Sequence, residues 1–578
     1  MSALISALDN FTPSQLGENG SVEYTWSNSI RERIIQLSFQ LTRTRHSTSL
    51  KDKTDKIMQD IAQQYKATGN REQYVEYMSI MYRMIAHTRD IVDGKGEYAL
   101  AYMLLDVWNK HHPELAQFAL KLFVLPPDGK SVDYHPYGSW KDIKYIYNND
   151  KSSSLAKYGT DLIIEQLRQD ETAESPSLVA KWVPRENSRF GELFNELAVK
   201  YFSNYIDSVK KQASKDKAIL KAKMQFRKLV SKLNKQLDTV QIKQCGLNWR
   251  EIDPAKQTSI TMHKQKNAFL NISKKGEQRH NDVDRIICAE KFTAFAKEAS
   301  EGKVEVKGKR VGLNDFTQEA LTLIAYKRQT STEAMLLNAQ WLNNSQQTGS
   351  LGKMVAMVDV SGSMSGDPMN AAIALGIRVA EKSILGKRVL TFSETPSWVN
   401  LDGKDNFVDM VDIVSHANWG MNTNFASALK LILDAAVTNK LTPEDMEDMV
   451  LAIFSDMQID KAEKNGGYGW STVDKNPSSK SLMNSIEEEY AKTGMSIWGR
   501  PFKAPHILFW NLRSTSGFPT LSTQNNASMM SGFSPALLNL FCDEGLEALK
   551  KCTPWQMFIK GLENERYSPL DVKLRETL

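Results

Sequence analysis

A chain of 578 residues with 41% hydrophobic and 24% charged side chains has the composition of an ordinary folded protein and the length for several domains. Its net charge of +5 excludes an extreme polyelectrolyte. Its four cysteines (Cys245, Cys288, Cys542 and Cys552), none spaced as CxxC, exclude a zinc ribbon or a thioredoxin-type centre.

That cysteine usage fits reduced thiols in an intracellular protein. The opening MSALISALDNFTPSQ has no secretory pattern. No run approaches the ~20 apolar residues that span a bilayer. The expected location is the cytoplasm, or a virion if the source is a virus.

Residues 1–345 read as all-α. SIRERIIQLSFQL, REQYVEYMSIMYRMIAHTRDIV, YALAYMLLDVWNKHH and LAQFALKLFVL place apolar residues three and four apart. DGKGE, LPPDGK and ESPS break the pattern. Helix pairs with short connections predict a HEAT-like repeat stack, although no fixed period is visible. Trp140 and Trp182 read as core anchors, and His111 and His112 as a helix C-terminal cap.

Within this half, residues 210–279 hold 18 Lys or Arg against 5 Asp or Glu, a net of +13. Such a block points to a polyanion or an acidic partner. The candidate phosphate contacts are Lys210, Lys211, Lys221, Lys223, Arg227, Lys228, Lys232 and Arg250. Trp249 is the candidate for base stacking. The alternatives are a solvated lysine-rich helix face and a core tryptophan.

From residue 350 to the C-terminus the pattern changes. KMVAMVDV, KRVLTF, DMVLAIFSD and APHILFWNL are short apolar runs. They alternate with helical NAAIALGIRVAEKS, FVDMVDIVSHA and NFASALKLILDAAV. This order predicts a doubly wound α/β domain with a parallel sheet covered on both faces, followed by a C-terminal helical extension. A helix from about Pro368 is expected to bury Ile373, Ile377 and Ile384.

The first of these strands runs into VAMVDVSGSMSGDPMN. Asp359, Ser361 and Ser363 stand at alternate positions among glycines, where such sheets bind ligands. One carboxylate and two hydroxyls form a hard oxygen-only set. It suits Mg²⁺, Mn²⁺ or Ca²⁺. A second loop brings Thr423 and a third brings Asp456. By itself the Asp-x-Ser-x-Ser pattern is short enough to arise by chance; the two added loops make it specific.

Asp359-x-Ser361-x-Ser363, Thr423 and Asp456, in this order and on these elements, resemble the metal-ion-dependent adhesion site of von Willebrand factor A domains. The resemblance covers roughly residues 350–555. It implies a Mg²⁺ site (or Mn²⁺/Ca²⁺) whose coordination a partner's acidic group completes. The third loop reads SDM where many members carry Gly after the Asp.

TRDIVDGKGEYALAYMLL, PYGSWKDIKYIY, VAKWVPRENSRFGELFNELA, FRKLVSKLNKQLDTVQIKQCGLNWREID and ASMMSGFSPALLNLF resemble an uncharacterised family of large DNA viruses, phages, plants and fungi. Arg89, Lys95 and Arg185 lie in these motifs, as phosphate contacts or as ties between helix ends. The order of parts is similar to that of TROVE or Ro ribonucleoproteins, which implies RNA binding by the helical half.

The chain has no Walker A loop, nucleophile elbow or HExxH. The expectation is a non-enzymatic RNA-binding scaffold with a metal-dependent partner site. The alternative is a protein–protein adaptor that grips an acidic residue without nucleic acid.

Overall fold

The computed structural model describes residues 13–17, 22–43, 47–127, 134–209, 211–392, 395–417, 425–458, 482–515, 517–542, 549 and 551–578. It opens with a small antiparallel pair, β1 (Ser14–Leu16) and β2 (Val22–Tyr24). A helical run follows: α1 (Ile30–Gln40), α2 (Ser47–Thr68), α3 (Arg71–Arg89), α4 (Tyr98–His111), α5 (Pro113–Val124), α6 (Lys141–Asn149), α7 (Ser154–Asp170) and α8 (Gly191–Tyr201). After it come the long α9 (Gln212–Gln236), then α10 (Ser259–Phe269), α11 (Val283–Ser300), α12 (Leu313–Ala325) and α13 (Thr332–Ser345).

Local chemistry sets these boundaries. Asn70 caps α3 by accepting the Gln73 N–H, and Pro113 opens α5, where its missing N–H costs nothing. On α9, Ala218, Ala222, Phe226, Leu229 and Leu233 recur at three- and four-residue steps and are buried.

The C-terminal half alternates β3 (Met354–Asp359), α14 (Asp367–Lys382), β4 (Arg388–Phe392), β5 (Ser397–Asn400), α15 (Phe407–Ser415), α16 (Phe425–Thr438), β6 (Val450–Ser455), α17 (Leu482–Trp498), β7 (His506–Asn511) and β8 (Ala527–Ser531). Two helices close the chain, α18 (Pro554–Leu562) and α19 (Ser568–Thr577). The sheet order is β5-β4-β3-β6-β7-β8, parallel except for the edge strand β5.

Both faces of the sheet are covered. Ala356, Val358, Phe454 and Leu508 point into one core with α12 to α15. Val355, Met357, Ile453 and Phe509 point into another, which is continuous with the N-terminal helices. The expected boundary near 345–350 is therefore a change of secondary structure within shared cores. The C-terminal extension crosses it as well: α19 packs on α3 and α5, and α18 on β8 and α3.

Two expectations are corrected. Helix α14 ends at Lys382, so Ile384 lies beyond it and is exposed rather than buried. The hairpin β1–β2 was not read from sequence. Gly376 on α14 is required by space: a Cβ there would stand 2.5 Å from Val358 Cγ2.

Candidate metal centre

Counted from Met354, the strand order is 3-2-1-4-5-6, so chain direction across the sheet reverses between β3 and β6. At such a switch point the loops leave in opposite directions and open a crevice at the strands' carboxyl ends. Asp359 ends β3 and Asp456 follows β6, on the two sides of that crevice.

The Ser361 N–H donates to Asp359 Oδ1 at 2.9 Å, and Ser361 Oγ lies 3.0 Å from Ser363 Oγ. Ser455 Oγ donates to Asp359 Oδ2 at 2.6 Å. The Gln458 N–H donates to Asp456 Oδ1 at 3.2 Å. Asp359, Ser361 and Asp456 are buried and Ser363 half-buried. Buried Met364 anchors the loop, and Gly366, at φ 94°, turns it into α14 through backbone that favours glycine.

Burial, and then the neighbouring Asp456 carboxylate, push Asp359 up to about 7. Among the described residues no lysine or arginine pairs with Asp359. Two carboxylates converging with hydroxyls fit a hard divalent cation, which would offset their repulsion. Among the described residues no group of three or more His, Cys, Asp or Glu could hold a metal. A cation here would therefore rest on two carboxylates and hydroxyls. Thr423 lies outside the described residues.

The third loop is explained by Met457. It takes φ 64°, the left-handed conformation that suits glycine, and its side chain is buried. The backbone shape survives without the glycine, at a local cost.

Lys210 also lies outside the described residues. Lys211, Lys221, Lys228 and Lys232 are exposed, the last three on the outer face of α9. Lys223 and Arg227 are turned to Glu186, and Arg250 donates to Asp284 Oδ1 at 2.5 Å.

Trp249 follows the core alternative and not the base-stacking one. It is 8% exposed, in a core with Phe269 and Phe292, and the Arg285 guanidinium lies 4.0 Å from its ring centroid. It offers no face to a base. Arg89 forks onto Asp142 and buried Lys95 bonds to Ser531, so both tie elements together rather than meet phosphate.

Residues 353–569 match a family described as "Domain of unknown function (DUF7788)". The match starts just before β3 and ends inside α19, so it treats sheet and C-terminal helices as one unit. The chain is also similar to a protein of Acanthamoeba polyphaga mimivirus described as "Uncharacterized protein L728". The two are 27% identical over 522 residues, 86% of this chain and 81% of that one.

Two residues at the centre escaped sequence reasoning. Ser455 was legible only as a lone hydroxyl in the apolar run VLAIFS. Arg513 carried no signal: it follows β7 and donates from Nη1 to the Ser363 carbonyl, bracing the Asp-Ser loop from the side. No helix among the described residues is long and apolar enough to cross a membrane.

Proposed function

We propose that this protein is a non-enzymatic binding scaffold. Its C-terminal half acts as a von Willebrand A-type domain that takes an acidic side chain of a protein partner through a divalent cation. The observation that carries this reading is the convergence of buried Asp359 and Asp456 with Ser361 and Ser363 at the switch point of the sheet. Bound there, Mg²⁺ would keep an open coordination position for a carboxylate. Asp359, Asp456 and the two serines would hold it, with Thr423 as the fifth group. Calorimetric titration of wild type, Asp359→Ala and Asp456→Ala with Mg²⁺ and Mn²⁺ tests the site. Equal binding by all three removes it.

The helical half, read as a HEAT- or TROVE-like array, supports a second function in the same scaffold, the binding of RNA. The supporting observation is the exposed row Lys217, Lys221, Lys228, Lys232 and Lys235 on α9. Phosphate contacts of this kind make affinity fall steeply with salt. Anisotropy titration at two salt concentrations tests it. Affinity weaker than about 100 μM near physiological salt, the weak end of non-specific binding, leaves the adaptor function alone.

A further inference from the structure

Beside α9, four segments bring aromatic rings and ammonium groups to one surface. Tyr98 opens α4, Tyr145 lies on α6, Trp182 ends the short helix Val179–Trp182, and Phe190 precedes α8. Three of the rings are contiguous, Tyr98 and Tyr145 with centroids 6.2 Å apart and Tyr145 and Phe190 5.3 Å; Trp182 joins them through Lys144, which lies over it and Phe190. Tyr98 is 52% exposed, and Tyr145, Trp182 and Phe190 are half-buried. Trp182 packs against the core, as expected, and is half-buried there.

Lysines lie over these rings. Lys141 Nζ is 5.3 Å from the Tyr145 centroid. Lys144 Nζ is 5.2 Å from those of both Trp182 and Phe190, and Lys181 Nζ 5.9 Å from that of Trp182. Among the described residues none of the three ammonium groups pairs with a carboxylate. Nearby acids are otherwise engaged: Asp142 by Arg89, Glu186 by Arg227 and Lys223. Burial holds Lys144 and Lys181 below their ordinary range, and Lys141 adds to the effect on Lys144. The patch is electropositive and short of anions.

It is also continuous with the basic helix. Glu186 meets α9 through Arg227 and Lys223, and Asn234 Nδ2 of α9 donates to the Ala180 carbonyl at 3.0 Å. Ring faces interleaved with unneutralised lysines match a strand that offers bases and phosphates by turns. A duplex hides its base faces and meets only half of this chemistry.

We propose that Tyr98, Tyr145, Trp182 and Phe190, with Lys141, Lys144 and Lys181, form a stacking platform for single-stranded nucleic acid, on a path that continues along α9. The proposal rests on the nucleic-acid reading above and assigns its base contacts to a surface outside the 210–279 block.

The test is anisotropy titration of the full chain with a short fluorescein-labelled oligouridylate and with a duplex RNA. The variants are Tyr98→Ala/Tyr145→Ala, Lys141→Glu/Lys144→Glu and, on α9, Lys221→Glu/Lys228→Glu/Lys232→Glu. Thermal melts check that each is folded. Loss of stacked bases should weaken single-strand binding about tenfold or more in the tyrosine variant, with little change for duplex. The Lys141/Lys144 variant should weaken binding and flatten its salt dependence. Photocrosslinks from thiouridine-substituted RNA should map to Tyr98 or Tyr145.

If the α9 variant loses binding while the tyrosine variant binds as wild type, the platform is overturned and the nucleic-acid reading stands. If wild type binds neither RNA, both fall together.

Discussion

Arg566 and Asp90 lie far apart in the chain and form a two-pronged ion pair, Nε to Oδ2 at 2.8 Å and Nη2 to Oδ1 at 2.9 Å. Asp90 is fully buried at the end of α3, and Arg566 just precedes α19. Removing the arginine leaves a carboxylate without its cation where water cannot replace it. Arg566→Ala should therefore cost about 3–5 kcal/mol. The double variant Asp90→Asn/Arg566→Met should cost less than Arg566→Ala alone, because no charge is stranded. Urea unfolding of the three variants measures both. A loss below about 0.5 kcal/mol in Arg566→Ala, ordinary for a surface change, would contradict the coupling.

Lys95 makes stability depend on pH in a definite direction. It is buried and donates to the carbonyls of Ser38 and Leu41 and to Ser531 Oγ. Burial lowers it to about 7, with Glu97 opposing; His87 beside it is pushed down to about 3 and stays neutral. Between about pH 7 and the unfolded value of 10.5, the unfolded chain binds the extra proton. Stability then rises with pH across that window. The unfavourable contribution is full below pH 7. Lys95→Met should remove this slope, whatever it does to absolute stability. Parallel pH profiles for the two proteins would refute the assignment.

The helices, the strands β3, β4, β6 and β7 and the Asp-Ser loop after β3 were legible because each is a local signal. Apolar spacing writes the elements, and the tight Asp-Ser loop is contiguous in sequence. What was not legible depends on distant partners. Nothing near Trp249 says that Arg285 covers it, or near Arg566 that Asp90 waits for it. The hairpin β1–β2 is too short for an alternating pattern to show. Strand β8, ASMMS, was not among the strands read from the sequence; its pairing with β7 makes it one.

Trp249 gives a third prediction. Trp249→Ala empties a place between Phe269 and Arg285 and should cost about 3–5 kcal/mol. RNA affinity of the folded fraction should not change. A selective loss of single-strand binding at unaltered stability would return Trp249 to the surface.

Met457→Gly sets two effects against each other. Glycine relieves left-handed backbone strain of about 1–2 kcal/mol. It also empties the space of a buried methionine, at about 2–5 kcal/mol, and adds freedom to the unfolded chain. Burial should win, so the variant should unfold at lower urea with Mg²⁺ absent. A more stable variant would mean that strain dominates this loop.

Ser455 decides whether the proposed metal centre is preorganised. Its hydroxyl donates to Asp359 Oδ2 at 2.6 Å and accepts the Met457 N–H at 3.0 Å, so one buried group positions the end of β3 and the loop after β6. Neither role needs contact with the cation. In metal sites such supporting hydrogen bonds change affinity about 10–100-fold. Ser455→Ala should thus weaken Mg²⁺ and Mn²⁺ binding by that factor, whereas Asp359→Ala should abolish it. The fold should persist, because a serine oxygen is a small volume to lose. In the double variant, Ser455→Ala should add nothing to Asp359→Ala. Calorimetry with both ions, beside a thermal melt, reads affinity and fold separately. Wild-type affinity in Ser455→Ala would reduce the hydroxyl to a passive filler and leave Asp359 held by the Ser361 N–H alone.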